Sequence, residues 1–480
     1  MKSTPFPFSS SSSNNNNGST GTPGSHLHGK RDKQTLNIIM GKAMPCLLST
    51  FAITTIFTFF LYSPDPFNLT PPPKQTQKQQ QGGDAHHLLD QTISLKPPTS
   101  PPNLKVEENC ELFKGRWVPD HEGARYSNWS CPTMPDSKNC FRHGRKDKDF
   151  LNWRWKPDGC VLQKFDPKAF FEIVRGKAMA FVGDSVARNH FESLLCLLSQ
   201  EEAPVEAYKD ADDRNRIWHF PKHDFILKVI WTKFLVAGEE RMINSTTSAG
   251  IHDLYLDRLD ENWARDLHAL DYVIISGVHW FFRAIYLHQD SKVVGCIYCN
   301  EPNVTNWDVK MAVKMALRAA LDRINNCKEC KKTVVVVRTF SPSHFENGLW
   351  NTGGTCNRTG PARELEIDSG RDVYEVRDKQ VEEFQRVRKK VKKGKKFGVL
   401  DITRVMRVRP DGHPGLFWGN QWMKGYSDCV HWCLPGPIDV WNDFLIGNAK
   451  NKLWTVFKPE FFSLPTLTSI NRTAISPTML

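Results

Sequence analysis

The sequence lacks any recognisable RNA- or DNA-binding motif, although its 64 Lys and Arg outnumber its 52 Asp and Glu and give a formal charge of +12. An excess of basic residues is typical of proteins that bind nucleic acid, an anionic membrane surface or an acidic polymer. Because no nucleic-acid-binding motif is present, the excess does not by itself support nucleic acid as the partner. The densest basic run, residues 386–396, lies at the end of a predicted helix, where a solvated helix face accounts for it. Internal repeats are also absent, which argues against a repeat architecture.

Charge is missing from one stretch, residues 46–62, and no clear small-residue cleavage site lies near it. The stretch is short for a membrane span, which needs about 20 residues, but residues 41–44 extend it enough for a thin membrane of the secretory pathway. A cleaved signal peptide and a buried soluble helix are the competing interpretations, and the 44-residue lead weighs against the first. The positive-inside rule then places the N-terminus in the cytosol and the chain after residue 63 in the lumen, because cations precede the stretch and an acid follows it: Lys30, Arg31, Lys33, Lys42 and Asp65.

Composition predicts the organisation of the whole chain. A Ser/Asn-rich leader and a Pro/Gln-rich segment after the apolar stretch are typical of disordered tails and linkers. We expect a disordered cytosolic tail (1–44), a transmembrane signal-anchor (45–62), a stem linker (63–105), a Cys/Trp-rich N-terminal subdomain (106–162), a catalytic domain (163–455) and a C-terminal tail (456–480).

Sequons and cysteines independently favour the lumen. The chain has six Asn-x-Ser/Thr sequons, at Asn68, Asn128, Asn244, Asn303, Asn357 and Asn471. Outside the apolar stretch it has twelve cysteines, an even number typical of disulfides in an oxidising compartment. The pairs Cys296/Cys299 and Cys327/Cys330 could instead form a four-thiolate zinc site, which the long gap between them and the lumenal setting disfavour. Cys196 lies on the apolar side of a predicted helix and could be a buried free thiol.

Four cysteines fall between residues 110 and 160, among four tryptophans. Such a region is too short to be stable without cross-links, so we interpret it as a small disulfide-rich subdomain. Its Trp and Arg side chains could contact a sugar chain or pack against the larger domain, and packing is favoured for Trp153 and Trp155.

Strand and helix patterns alternate from residue 165 onward. Short apolar runs predict buried strands, and apolar residues at helical spacing predict helices between them. The predicted strands are 178–182, a β element at 226–234, 271–277, 333–339 and 397–402, and the predicted helices are 186–199, 309–324, 373–391 and 438–446. This alternation indicates an α/β fold whose parallel sheet is covered on both faces, with the active site at the carboxyl ends of the strands.

The first strand and helix are joined by Gly183-Asp184-Ser185. In a tight turn of this kind the Ser185 hydroxyl projects as a nucleophile, and the free N–H groups of the helix can receive an oxyanion. A simple Ser/Asp helix cap is the alternative, since the same residues cap helices well.

A serine nucleophile needs a base, and the base needs an orienting group. The C-terminal segment Asp428-Cys-Val-His431 offers both, because a spacing of three lets one turn bring the carboxylate to the imidazole. Asp439 is a rival carboxylate, and other histidines also lie near strand ends, namely His190, His279, His344 and His413.

These motifs together resemble the plant trichome birefringence-like family, polysaccharide O-acetyltransferases related to SGNH/GDSL esterases. The resemblance covers Cys110 to about Lys450 and includes Cys110-Glu-Leu-Phe-Lys-Gly-Arg-Trp117, Asp149-Phe-Leu-Asn-Trp-Arg-Trp-Lys-Pro157 and Arg409-Pro-Asp-Gly-His-Pro414. The segments Arg175–Ser185 and Asp428–Asp439 resemble the corresponding segments of the xyloglucan O-acetyltransferase subgroup.

The resemblance implies an SGNH/GDSL-like fold and a single-pass type II Golgi protein with a lumenal catalytic domain. It implies Ser185 as nucleophile, His431 as general base and Asp428 as its orienter, with no bound cofactor or metal. One departure concerns the oxyanion hole: Ser276-Gly-Val-His-Trp280 stands where members often have Ser-Gly-His-Trp, and no Gly-x-Asn-Asp block is present. The Ser185 N–H is therefore the first expected donor, with Gly277 and Arg338 as weaker candidates.

The expected reaction is a double displacement through an acetyl-serine onto a cell-wall polysaccharide hydroxyl, with xyloglucan as the favoured acceptor. Basic residues around the groove suit an anionic donor such as acetyl-CoA. Transfer to xylan, a polysaccharide acetylesterase with the same triad, and a non-catalytic polysaccharide-binding protein are the alternatives.

Overall fold

A computed structural model describes residues 110–450 except 300, 331, 364–365, 367–369 and 420–423. The predicted cytosolic tail, signal-anchor, stem and C-terminal tail lie outside the described residues. Within that part of the chain, no helix is long and apolar enough to cross a membrane.

Thirteen strands are present in the described residues. They are β1 (Glu111–Pro119), β2 (Trp153–Asp158), β3 (Lys177–Gly183), β4 (Val205–Lys209), β5 (Arg216–Phe220), β6 (Phe225–Trp231), β7 (Val236–Met242), β8 (Ser248–Leu259), β9 (Tyr272–Ser276), β10 (Ile285–Gln289), β11 (Lys292–Ile297), β12 (Val334–Arg338) and β13 (Lys396–Leu400). The helices are α1 (Pro167–Val174), α2 (Ser185–Leu198), α3 (Glu261–Ala264), α4 (Val309–Asn326), α5 (Gly370–Arg388), α6 (Thr403–Arg407) and α7 (Val440–Lys450).

The central sheet has seven strands in the order β13-β12-β9-β3-β6-β5-β4. The first five are parallel, as the apolar runs predict, and the strand at 226–234 is β6, which ends at Trp231. Both faces of this sheet are covered. Phe181 and Ile274 pack in a core with Phe191 of α2 and Trp441 of α7, and Val182 and Ile275 pack with Leu321 of α4 and Phe384 of α5. The predicted α/β sheet covered on both faces is confirmed.

Two parts of the β structure were not predicted. The edge strands β4 and β5 extend the sheet in the antiparallel sense, and a second sheet has the order β11-β10-β8-β7. The second sheet packs on the N-terminal half of α4 through its own core, which contains Leu254, Ile285 and Val313. Its strands alternate apolar and polar residues and carry weak sequence signals, because one of their faces is solvated.

The N-terminal region packs into the same core as the rest of the chain. Strands β1 and β2 form an antiparallel pair, and the Trp155 ring is buried with its Nε1–H donating to the Leu112 carbonyl at 2.9 Å. The Trp117 Nε1–H reaches across to the Val405 carbonyl at 2.8 Å. The packing role expected for Trp155 is therefore present, while Trp153 is half-buried.

Six disulfides use all twelve cysteines outside the apolar stretch. They join Cys110–Cys160, Cys131–Cys196, Cys140–Cys433, Cys296–Cys299, Cys327–Cys330 and Cys356–Cys429. The interpretation of Cys196 as a free thiol is wrong: the buried side of α2 faces the N-terminal region, which supplies Cys131 as its partner. The two Cys-x-x-Cys pairs each close on themselves and do not form a shared zinc site.

The longest of these cross-links should matter most for stability. Cys140 and Cys433 are 293 residues apart, so removing both (Cys140→Ser with Cys433→Ser) is expected to lower the free energy of unfolding by about 2–5 kcal/mol. Cys327 and Cys330 are three residues apart and serve as the control, for which the same double change should cost less than half as much. Urea unfolding of the two variants tests this expectation, and equal losses would contradict it.

Candidate active site

The turn after β3 brings the Gly-Asp-Ser motif to the carboxyl edge of the sheet. Gly183 pairs with Ser276 of β9, and a Cβ at Gly183 would collide with the Ser276 carbonyl oxygen. Glycine is therefore required at 183 for the two strands to approach and for the chain to turn into α2.

Asp184 is the N-cap of α2, and the role of Ser185 as a nucleophile stays a prediction. Its Oδ1 accepts from the Val186 and Ala187 N–H groups at 3.0 and 3.4 Å, which leaves Ser185 as the first helical residue. Its Oδ2 accepts from the Val278 and His279 N–H groups at 3.1 and 3.2 Å. Asp184 thus fixes the loop after β9 against the turn that carries the serine.

The Asp184 carboxyl stays ionised although it is fully buried. Burial alone would raise its pKa, but the charges of His279 and Arg338 and the backbone donors outweigh burial and hold the pKa well below its ordinary value. His279 lies between this carboxylate and the Ser341 carbonyl, 3.2 and 3.0 Å from them.

Ser185, His431 and Asp428 form a hydrogen-bonded chain. The Ser185 Oγ is 2.8 Å from His431 Nε2, and His431 Nδ1 is 2.8 Å from Asp428 Oδ2. Asp428 Oδ1 also accepts from the Val430 and His431 N–H groups at 3.1 and 3.0 Å, so the carboxylate holds both the ring and the backbone of the turn. This arrangement can deprotonate a serine hydroxyl and stabilise the imidazolium that results.

Burial and charge set the protonation of the pair. Burial would raise the pKa of Asp428, but His431, Lys138 and the hydrogen bonds hold that pKa far below its ordinary value. The pKa of His431 is lowered mainly by burial, with Lys138 and His279 adding to the effect and Asp428 opposing it. A neutral imidazole next to an ionised carboxylate is the state that a general base requires.

The loop that carries His431 is held from several sides. The disulfides Cys140–Cys433 and Cys356–Cys429 flank it. The His413 Nδ1 lies 2.6 Å from the His431 carbonyl. These links explain how His431, from the C-terminal part of the chain, keeps its distance to Ser185.

Asn189 is a site residue that the sequence did not reveal. It lies one turn after Ser185 on α2, where its Oδ1 accepts from the Trp432 N–H at 2.7 Å and its Nδ2 donates to the Trp432 carbonyl at 3.3 Å. Asn189 therefore holds the residue next to His431 against the helix that begins with Ser185. The i, i+4 spacing from Ser185 is the signal that could have indicated it.

Of the rival residues, His279 contacts Asp184, and the others have different partners. Asp439 accepts from Ser193 Oγ at 2.6 Å and from the Tyr126 hydroxyl at 2.8 Å. His190 packs edge-on against Phe181 and Trp441, and burial lowers its pKa well below the ordinary value. His344 and His413 contact each other, 2.7 Å apart, behind the His431 loop.

The oxyanion-hole candidates remain predictions. Gly277 follows the last residue of β9, and the next two N–H groups, those of Val278 and His279, are bonded to Asp184. Arg338 is buried beneath the site with its guanidinium 4.8 Å from the Trp441 ring, and burial lowers its pKa to about 10. Its Nη1 donates to the Thr339 carbonyl at 3.2 Å. The Ser185 N–H, at the start of α2, stays the first expected donor.

Lys138 brings a charge from the N-terminal region to Asp428. Its side chain is nearly buried, its Nζ lies 3.7 Å from Asp428 Oδ2, and its carbonyl accepts from the Leu434 N–H at 2.9 Å. Lys138→Met should raise the pKa of His431, because a positive charge that disfavours the imidazolium is removed. The acid limb of the kcat/KM profile should then move to higher pH, since the base must be neutral to act.

Lys148→Met is the control for that measurement, because Lys148 is an exposed lysine of the same region. Its pH profile should match that of the unmodified protein. An acid limb that stays in place in Lys138→Met, or moves to lower pH, would show that Lys138 does not act on His431.

Comparison with known proteins finds two family models that match this chain. Residues 162–448 match PC-Esterase, the GDSL/SGNH-like acyl-esterase family found in Pmr5 and Cas1p, and residues 108–161 match the PMR5 N-terminal domain. The chain is 59% identical to Xyloglucan O-acetyltransferase 4 of Populus trichocarpa over 419 residues. The aligned region covers 87% of this chain and 94% of that relative. It is 51% identical over 418 residues to xyloglucan O-acetyltransferase 2 of Arabidopsis thaliana, and the aligned region covers 87% of this chain and 95% of that relative. It is 42% identical over 379 residues to Protein trichome birefringence-like 19 of Arabidopsis thaliana, and the aligned region covers 76% of this chain and 88% of that relative.

Proposed function

The chain belongs to the PC-esterase family, and we propose that it is an O-acetyltransferase that moves an acetyl group through Ser185 to a hydroxyl of a cell-wall polysaccharide. The observation that carries the proposal is the chain of 2.8 Å contacts from Ser185 Oγ through the His431 ring to Asp428. The names of its relatives supply the acetyl group and the class of acceptor.

In the first half-reaction Ser185 attacks the acetyl carbonyl. His431 Nε2 takes the Oγ proton as the new C–O bond forms, and Asp428 stabilises the imidazolium through Nδ1. The bond from the acetyl carbon to the leaving group then breaks, and His431 returns its proton to that group. Acetyl-Ser185 and neutral His431 remain.

The second half-reaction runs the same steps with the polysaccharide. A sugar hydroxyl gives its proton to His431 Nε2 and attacks the acetyl-serine carbonyl. The bond between the acetyl carbon and Ser185 Oγ breaks, Ser185 Oγ takes the proton back from His431, and the acetylated sugar leaves. Water in place of the sugar would give acetate, so what distinguishes a transferase from an esterase is exclusion of water from this step.

Xyloglucan is the proposed acceptor. Three relatives that are 51–59% identical over most of the chain are named xyloglucan O-acetyltransferases. We propose an activated acetyl thioester such as acetyl-CoA as the donor, and no bound cofactor, because the triad chemistry needs only an acyl group and a base.

We also propose that the protein is a type II Golgi membrane protein with this domain in the lumen. The uncharged stretch at 46–62 with cations before it supports the orientation. The six disulfides suit an oxidising compartment, and the four sequon asparagines in the described residues, Asn128, Asn244, Asn303 and Asn357, are all exposed.

Isotope-labelled acetyl donor offered to the purified full-length protein with xyloglucan and xylan oligosaccharides tests this function. We expect label on xyloglucan and little free acetate. Acetate release without labelled sugar would make the protein an esterase, and label on xylan alone would refute the acceptor. Absence of both reactions would favour a non-catalytic binding protein.

A further inference from the structure

A second group of functional character lies beside the Gly-Asp-Ser turn. It consists of Arg214, Trp231, Lys233, Trp280 and Arg283, which we call the basic–tryptophan cluster. The Arg283 guanidinium lies 3.9 Å from the centroid of the Trp280 ring, and Lys233 Nζ lies 4.5 Å from the same ring. Arg214 lies 5.2 Å from the Trp231 ring, and the two indoles meet edge to face at 5.6 Å. Three cations are thus gathered around two tryptophans.

Two strand ends attach this cluster to the nucleophile. Trp231, the last residue of β6, pairs with Gly183, and the Thr232 N–H donates to the Gly183 carbonyl at 2.8 Å. Trp280 lies in the loop after β9 whose Val278 N–H is bonded to Asp184. The cluster therefore flanks the turn that presents Ser185.

Two carboxylates face the three cations of the cluster, and one of them, Asp212, lies 3.8 Å from Arg214 Nε. Arg283 is 4% exposed, and its Nε and Nη2 have no hydrogen-bond partner among the described residues. Glu240 lies 3.0 Å from Lys233 Nζ and is the acidic residue that acts on Arg283. Burial lowers the pKa of Arg283 to about 10, so the guanidinium stays charged at neutral pH.

Two other buried arginines in the described residues, Arg409 and Arg377, have carboxylate partners, whereas buried Arg338 donates to the Thr339 carbonyl. Arg409 forms two hydrogen bonds with Asp411 at 2.8 and 2.9 Å, and Arg377 pairs with Asp401. Burying a guanidinium without such a partner is unfavourable, and proteins retain it where an anion joins it. The two unfilled donors of Arg283 therefore point to a ligand with negative charge.

We propose that the basic–tryptophan cluster binds the phosphate groups of a phosphorylated acetyl donor, of the acetyl-CoA class, next to Ser185. The inference rests on the proposed function. Xyloglucan is a neutral polymer and the acetyl group carries no charge, so neither needs three cations beside the nucleophile. The remaining partner of the reaction is the leaving group, and guanidinium and ammonium groups bind phosphate through charge-assisted hydrogen bonds.

Two donors that differ only in phosphate test the site in the full-length protein. Acetyl-CoA carries phosphates, whereas S-acetylpantetheine presents the same thioester without any. Arg283→Gln and Lys233→Gln are expected to raise KM for acetyl-CoA by about 10- to 100-fold each, as expected for a lost charge-assisted hydrogen bond. KM for S-acetylpantetheine, KM for the xyloglucan oligosaccharide and kcat should change less than about twofold. Arg265→Gln is the matched control, because that side chain is 74% exposed and pairs with Asp266.

Inorganic pyrophosphate provides a readout that does not depend on turnover. Pyrophosphate should compete with acetyl-CoA for the unmodified protein and should bind about tenfold more weakly to Lys233→Gln. Lys233 is chosen because its side chain is partly exposed, so that its replacement spares the core. If Arg283→Gln does not fold, Arg283→Lys takes its place, because lysine keeps the positive charge.

Each other outcome overturns the inference. Equal losses with both thioesters would show a structural role, and a change confined to the acceptor KM would assign the cations to the polysaccharide. Ser185-dependent transfer with equal KM for both donors in every variant would refute the phosphate site and leave the proposed function intact. Failure of both donors to give Ser185-dependent transfer would overturn the proposed function itself.

Discussion

Replacing Ser185 with alanine is expected to lower acetyl transfer by about 10⁴- to 10⁶-fold in kcat, because no other group in the chain of contacts can form the acetyl ester. The Ser185 Oγ is the atom that His431 Nε2 faces at 2.8 Å. The helix cap should survive, since Asp184 and not Ser185 accepts the hydrogen bonds from the first turn of α2. The variant should therefore fold normally, and thermal unfolding together with initial rates of labelled acetyl transfer measures both parts.

Ser199→Ala is the matched control, because Ser199 caps the C-terminal end of the same helix and its hydroxyl donates to the Leu195 carbonyl at 2.7 Å. It should retain nearly full activity. Ser185→Ala protein that is folded and transfers acetyl within about tenfold of the normal rate would exclude covalent catalysis at Ser185.

Asp428→Asn is expected to lower kcat by about 10³- to 10⁴-fold while leaving the fold intact. The Asn amide oxygen can still accept from the Val430 and His431 N–H groups, as Oδ1 of Asp428 does. Its NH₂ group, however, would donate to His431 Nδ1 and place the imidazole proton on Nε2, where it blocks acceptance of the Ser185 proton. Steady-state kinetics at several pH values measure the loss of kcat. The loss should persist at high pH, because the variant holds His431 in the wrong tautomer and does not change its charge.

Asp439→Asn is the control for this change, since Asp439 is the other buried carboxylate of the same segment. It bonds to Ser193 and Tyr126, so its loss should cost about 1–3 kcal/mol of stability and leave kcat of the folded protein nearly unchanged. If Asp439→Asn abolished activity and Asp428→Asn did not, the roles of the two carboxylates would be reversed.

The strongest sequence signals gave the centre of the fold. Continuous apolar, β-branched runs such as that at 334–337 favour buried strands, and Ser185 follows the first predicted strand at the edge where such sheets place ligands. The spacing of Asp428 and His431 is local, so their contact could be predicted from the sequence. What no local pattern could give is the 246-residue separation that His431 and Ser185 bridge, and the family resemblance supplied that pairing.

The residues that sequence reasoning missed are those whose roles depend on long-range packing. Asn189 reads as an ordinary helix residue until Trp432 is placed against it. Lys138 reads as a surface lysine until the Cys140–Cys433 disulfide brings it to Asp428. Arg283 gives no signal in the sequence, since its unfilled donors appear only when its burial is known. Disulfide connectivity is likewise a property of the folded chain, as the pairing of Cys196 with Cys131 illustrates.

Detection of the acetyl group on Ser185 tests the central claim most directly. The full-length protein is mixed with isotope-labelled acetyl-CoA, or with p-nitrophenyl acetate so that the result does not depend on the donor, in the absence of acceptor. It is then quenched in acid and digested for peptide mass spectrometry. We predict a labelled acetyl group on the peptide that contains Ser185, which disappears when xyloglucan oligosaccharide is added as labelled oligosaccharide appears. Acetylated oligosaccharide formed at the normal rate while Ser185 stays unmodified would contradict the double displacement.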